Sequence, residues 1–139
     1  MPEDYELLDH TADLGIRAYG HDRRSLFENA AKGLIALMVS PQAIEPAESV
    51  TLEVEGQDSG DLLAAWLHEI LFQFDAKSRV FCDARIEEID ERHLRACLRG
   101  ERFDPNRHEA LNEIKAVTYH GLAVTCEDGR WTASVYFDL

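Results

Sequence analysis

The sequence predicts an α+β domain: a mainly antiparallel sheet with two helices packed on one face. Three observations lead there. Two stretches, Leu26 to Met38 and Leu62 to Phe74, repeat apolar residues at helical spacing. Around them lie short segments in which apolar residues alternate with others, the period of half-buried strands. After the second helix the strands follow one another without intervening helices, which is the order of an antiparallel sheet rather than of βαβ units.

Tyr5 to Leu8 reads as a first strand, ended by the turn Asp9-His10-Thr11-Ala12-Asp13. Leu14 to Gly20 alternates as a second strand. Ser25 with Glu28 three residues on has the form of a capping box, and Leu26, Phe27, Ala30, Ala31, Leu34, Ile35 and Met38 continue it as an amphipathic helix. That helix is expected to stop near Ser40-Pro41, with 41–48 a polar connection. Val50, Leu52 and Val54 alternate as a third strand. Gln57 to Gly60 is turn and cap material before the second helix, whose stripe is Leu62, Leu63, Trp66, Leu67, Ile70, Leu71 and Phe74. His68, Glu69 and Gln73 are placed off that stripe. Arg79 to Ile89 and His93 to Leu98 read as a hairpin turned at Asp90-Glu91-Arg92. Gly100 to Leu111 is irregular and charged. Ile114 to Tyr119 and Leu122 to Phe137 close the domain, with Asp128-Gly129 a hairpin-turn signal. No repeat, low-complexity segment or linker divides the chain, so residues 1–139 are expected to form one domain.

Composition narrows the function classes. With 139 residues, 45% apolar and 29% charged, the chain has the make-up of an ordinary globular domain. Its net charge of −13, from 14 Lys and Arg against 27 Asp and Glu, argues against direct capture of nucleic acid and for a basic partner or a cation. A local basic patch is compatible with that balance. Cys82, Cys97 and Cys126 form no CxxC, so a zinc ribbon or redox pair has no support; they read as small hydrophobes on strands in a reducing compartment. The start of the chain lacks the basic and apolar regions of a signal peptide, and no apolar run is long enough to span a bilayer, so a cytoplasmic location is expected.

Three regions carry candidate chemistry. The turn at Asp9 to Asp13 reads first as a turn built on Asp and Thr side chains, and alternatively as the source of a hard oxygen ligand or general base in Asp13. His10 beside it is either packed, solvated or a ligand. The sequence ends on Phe137-Asp138-Leu139 after the strong strand formers Val135 and Tyr136. A strand ordered to that point would hold the Asp138 carboxylate and the Leu139 α-carboxylate side by side. Should Asp13 lie near, three oxygen donors converge, a set suited to Ca²⁺ or Mg²⁺ rather than zinc. Lys115, within Glu113-Ile114-Lys115-Ala116-Val117-Thr118-Tyr119-His120, sits inside what reads as a strand. It is either an edge-strand lysine or a partner for the acids or a phosphate. Gly15 and Gly20 have phosphate-loop spacing, but His21-Asp22 follows where such a loop needs Lys and Ser or Thr. No Ser or Cys stands in a nucleophile elbow.

The chain resembles the archease family. The resemblance rests on Asp9 to Asp13 leading into Gly15 to Gly20, on Leu26 to Ala31, on Trp66 to Leu71, on Gly100-Glu101 with Arg107-His108, on Glu113 to His120, and on Trp131 to Leu139. It implies a compact α+β fold and the role of an accessory protein of the RtcB-type tRNA-splicing RNA ligase. Such a protein promotes guanylylation of the ligase by GTP and its repeated turnover, and is not itself an enzyme. It further implies a divalent-ion site, seen with calcium in the family and open to Mg²⁺ or Mn²⁺, at Asp13, Asp138 and Leu139. Lys115 matches a lysine implicated in activity, and His10 stands as a weaker supporting residue. The expected partner is the ligase, with no direct nucleic-acid binding and no membrane. Two alternatives stand beside this: a metal-dependent phosphohydrolase using Asp13, Asp138 and His10 or His120, and a general chaperone or interaction module.

Overall fold

The computed structural model describes residues 4–9 and 14–139. Among them, seven strands and two α-helices follow one another in the expected order: β1 (Tyr5–Asp9), β2 (Leu14–Gly20), α1 (Arg23–Met38), β3 (Glu48–Glu55), α2 (Ser59–Lys77), β4 (Arg79–Ile89), β5 (His93–Arg102), β6 (Ala116–Glu127) and β7 (Arg130–Asp138). Pro41–Ala43 forms one 3-10 turn in the connection after α1.

Every strand pairing is antiparallel, and the strands divide into two sheets, ordered β1-β2-β7-β6 and β3-β5-β4. Alternation along a strand marks which residues face inward but not which strand lies alongside, so the division was not expected from sequence. Helix α1 packs on β2 and β4, and α2 chiefly on β6, with further contacts to β3. Each helix therefore touches both sheets. One apolar cluster, including Ile16, Phe27, Trp66, Ile86, Leu94, Val135 and Phe137, fills the space between them.

The helix ends show which local signals won. Asp22, not Ser25, caps α1: its carboxylate accepts the Ser25 N–H at 2.7 Å, and Ser25 Oγ returns the favour to the Asp22 N–H at 3.2 Å. Ser25 is thus the third helical residue of the box rather than its first. Glu28, freed from capping, reaches out to accept the Ile86 N–H of β4 at 2.8 Å. Asp58 caps α2 by accepting from the Asp61 N–H at 2.8 Å, and Ser78 in the left-handed region (φ 54°) ends it. Gln73 is buried, contrary to its placement off the stripe. It lies three residues past Ile70 and seven past Trp66, which is the core face of α2. Trp66 itself is fully enclosed and donates Nε1–H to the Phe27 carbonyl at 3.0 Å, locking the two helices together.

Two strands run further than their patterns. Strand β5 continues through Gly100 to Arg102, where the β4 backbone approaches so closely that a Cβ on Gly100 would lie 1.9 Å from the Val80 carbonyl oxygen. The two pieces read as Ile114 to Tyr119 and Leu122 to Phe137 are instead β6 and β7, joined at Asp128-Gly129 with both residues at positive φ. Within β6 the five steps from Thr118 to Ala123 lie against only two of β7, Tyr136 to Ser134, so Tyr119 to Leu122 bulge outward around Gly121 (φ 71°). Of the cysteines, Cys82 and Cys97 are half-buried; Cys126 is exposed, so the packing expected of it is not found. Among the described residues no helix is long and apolar enough to cross a membrane.

Candidate functional site at the end of the closing strand

Strand β7 lies between β2 and β6, hydrogen-bonded on both edges. Its inward residues Ala133, Val135 and Phe137 are buried, and that burial holds the strand straight to its last turn of pleat. Leu14, the first residue of β2, stands opposite Phe137. On the other edge Ala116 stands opposite Asp138, and the Lys115 N–H donates to the Asp138 carbonyl at 2.8 Å. Asp138 is thus pinned through its backbone while its side chain is exposed. Among the described residues its carboxylate takes part in no hydrogen bond or ion pair. Leu139 beyond it is half exposed.

Lys115 lies one residue before β6 rather than inside the strand, since Ile114 turns into the core and takes the chain out of the ladder. Its backbone is tied to Asp138, its side chain is exposed, and among the described residues that side chain has no carboxylate partner. His10 and Asp13 fall outside the described residues. Leu14 marks where the chain re-enters the sheet after them, across from the residue that precedes Asp138. Tyr136 packs beside this end, its ring lying against Gly15, where a Cβ would come within 2.6 Å. Gly15 is therefore a floor for an aromatic ring, not part of a phosphate loop.

The donors described at this end, the carboxylates of Asp138 and Leu139, are oxygens, the kind a hard cation takes rather than a thiophilic one. Among the described residues no group of three or more His, Cys, Asp or Glu stands close enough to hold a metal ion.

Residues 103–115 form a strap that carries the chain from β5 to Lys115 and β6, and its anchor is a cluster not singled out as a site from sequence. Glu101 accepts from the Arg107 guanidinium, from the Glu45 N–H at 2.7 Å and from His108 Nε2 at 3.0 Å. His108 Nδ1 accepts the Asp104 N–H at 2.8 Å, so the ring proton resides on Nε2 and points at Glu101. The His108 side chain is wholly enclosed, packed against Phe103. Arg107 beside it, helped by the Glu45 N–H and His108, holds the Glu101 carboxyl down at about 2. Both ring nitrogens are committed within the fold, so the cluster fastens the strap rather than moving protons. Further along, Leu111 N–H donates to the Met38 carbonyl at 2.8 Å and Asn112 Nδ2 to that of Leu37 at 2.9 Å, tying the strap to the end of α1. The spacing from Glu101 to His108 was visible in the sequence; the ring's enclosure was not.

A second acidic spot lies at the start of α2, where Tyr119 of the β6 bulge donates its hydroxyl to Asp61 at 2.9 Å. Asp61 also accepts the Gln57 N–H at 2.8 Å, and its carboxylate pushes the Tyr119 phenol above its ordinary value. This contact closes the bulge against the helix.

Comparison with known proteins bears on the family and the fold. Residues 5–139 match the model of the Archease protein family (MTH1598/TM1083). The chain is 40% identical over 138 residues to the protein archease of Methanopyrus kandleri, covering 97% of this chain and 99% of that one. It is 40% identical over 139 residues to the protein archease of Pyrococcus furiosus, covering 97% and 98%. Among solved structures, the solution structure of Methanobacterium thermoautotrophicum protein 1598 superposes with a TM-score of 0.81 at 38% identity, covering 98% of this chain and 99% of that one. The crystal structure of a Thermotoga maritima protein described as an archease and possible chaperone superposes with a TM-score of 0.66, covering 95% and 94%; at 21% identity it speaks for the fold alone.

Proposed function

From the premise that the chain belongs to the archease family, we propose that it is a non-catalytic activator of an RtcB-type RNA ligase, promoting guanylylation of the ligase by GTP and its repeated turnover. Its working end is the acidic tip at Asp13, Asp138 and the Leu139 carboxylate, with Lys115 alongside and His10 in support. The observation that carries this reading is the fastening of the Asp138 backbone to β6 through Ala116 and Lys115, with the carboxylate left free to the described residues. A carboxylate held that way is preorganised for a ligand and contributes nothing visible to the fold.

Asp13, Asp138 and the terminal carboxylate would hold a divalent cation, Ca²⁺, Mg²⁺ or Mn²⁺. When bound, such an ion supplies charge stabilisation for phosphate oxygens. The chain's own part is positional. The strap delivers Lys115 to the side of Asp138, where its ammonium can meet a phosphate or steady the acids. The excess of carboxylates, 27 against 14 basic side chains, draws the protein toward a basic ligase surface that must itself hold RNA and GTP.

The test measures ligase self-guanylylation and multiple-turnover RNA joining with GTP and Mn²⁺, with and without this protein. Wild type should stimulate both; Asp138→Ala, Asp13→Ala and removal of Leu139 should each lose the stimulation while keeping native circular dichroism. Full stimulation by these variants would end the tip assignment. No stimulation by wild type, together with suppression of aggregation of unrelated proteins, would favour the chaperone reading. That reading draws on the exposed apolar residues Leu7, Phe72, Leu111 and Tyr119.

A further inference from the structure

Where α2 ends and β4 begins, the surface has a charge sign that the rest of the molecule opposes. Arg79 and Arg102 stand directly opposite each other in the β4–β5 register. Lys77 closes α2 two residues earlier. Like charges facing across an antiparallel ladder destabilise it. Several other cations are matched by a carboxylate: Arg17 reaches Glu6, Lys32 reaches Asp4, Arg95 reaches Glu87 and Arg107 reaches Glu101. Lys77, Arg79 and Arg102, in a chain with nearly two carboxylates for every cation, have no such partner among the described residues.

The three cations line an open cleft of about 350 Å³ together with Glu48, Ala76 and Ser78. Glu48 is the single acid in that lining and pairs with none of them. At Ser78 the N–H donates to the Phe74 carbonyl at 3.0 Å and the carbonyl accepts the Phe103 N–H at 2.7 Å, so the hydroxyl is the polar group left over. The carbonyl end of α2 contributes a partial negative charge of roughly one half, which Lys77 alone offsets. What remains is two guanidinium forks beside a hydroxyl, and the three cations less Glu48 leave the cleft net positive.

We propose that Lys77, Arg79, Arg102 and the Ser78 hydroxyl form a binding site for a phosphate monoester dianion. Guanidinium forks match phosphate oxygens in pairs, and the hydroxyl donates to a third oxygen. A bound dianion also removes the repulsion between Arg79 and Arg102, so the strain in the empty ladder is released on binding. The site is separate from the acidic tip and does not depend on the ligase reading. The same phosphate chemistry is offered by a mononucleotide and by a 5′-phosphorylated RNA end, and the experiment distinguishes them.

Binding of inorganic phosphate, GMP, and an RNA oligomer with and without a 5′-phosphate is measured by calorimetry at low salt, with urea unfolding of each variant in parallel. Wild type should bind phosphate and GMP, and Arg79→Ala and Arg102→Gln should each weaken both on the order of tenfold, as expected when one charge-assisted pair is lost. The urea midpoint of Arg102→Gln should stay level or rise. RNA that binds more tightly than GMP, and only with its 5′-phosphate, would assign the site to an RNA end; equal affinity would assign it to a free nucleotide. Absence of binding by wild type, unchanged affinity in both variants, RNA binding indifferent to the 5′-phosphate, or a lowered midpoint in both variants would each overturn the proposal.

Discussion

At Gly100 the backbones of β4 and β5 come together with no room for a side chain, because the nearest atom to an added Cβ is the Val80 carbonyl and not a side chain that can turn away. Gly100→Ala is therefore expected to cost more than about 3 kcal/mol, read from urea unfolding. An unchanged midpoint would show that the two strands separate there at little cost. Trp66→Phe is milder. It removes the Nε1–H bond to Phe27 and part of the fully enclosed indole, and should cost about 2 kcal/mol by the same measurement. Residue by residue, the sequence was most readable where one side chain performs one task. Trp66 as core and Asp138 as the end of an ordered strand both followed from their neighbours. Gln73 and Lys115 were misplaced because a position on a helix face or at a strand's first residue depends on phase, and polar identity masked that phase.

Among the elements, α1 rests on its Asp22–Ser25 box, and Asp22→Ala should cost about 1 kcal/mol, seen as a fall in the thermal midpoint. The strap offers a pH-dependent prediction. Arg107 chiefly, with the Glu45 N–H and His108, holds the folded Glu101 carboxyl at about 2 against an ordinary 4.5. Its contribution to stability is therefore complete above about pH 4.5 and is lost as the pH falls toward 2. Amide exchange in 103–115 should accelerate across that window in wild type, and Glu101→Gln should exchange fast already at neutral pH with no such step. A step that persists in Glu101→Gln would place the acid sensitivity on another carboxylate. These elements were legible to different degrees. Helices announce themselves by periodicity, and so did α1 and α2 within two or three residues. The split of the strands into two sheets was not legible, because partners such as Leu14 and Phe137 are set by register across the whole chain. The Tyr119 to Leu122 bulge likewise broke one strand into two in the sequence pattern. The candidate site was legible only as two acidic ends of the chain, and the strap that fastens Lys115 to one of them rests on buried contacts of His108 that composition does not show.

For the whole molecule, charge dominates. At −13 the protein should associate with a basic partner at a rate that falls as salt rises from 50 to 500 mM, with dissociation changed much less. Stopped-flow binding to the proposed ligase partner measures both, and a salt-independent association rate would remove long-range attraction from the account. The strand order carries another consequence, for how the chain assembles as it is made. In the four-stranded sheet β1 and β2 are the first strands to be synthesised, β7 is the last of the seven, and β7 is the piece that lies between β2 and β6. On the ribosome the β1–β2 hairpin must therefore wait, one edge unpaired and Ile16 uncovered by β7, while the helices and the three strands of the other sheet emerge. The β3-β5-β4 sheet, local in sequence, can close first and offer α1 and α2 a surface to settle on. The sheet's most exposed moment then comes just before β7 arrives, and closing the sheet and ordering Asp138 become a single event.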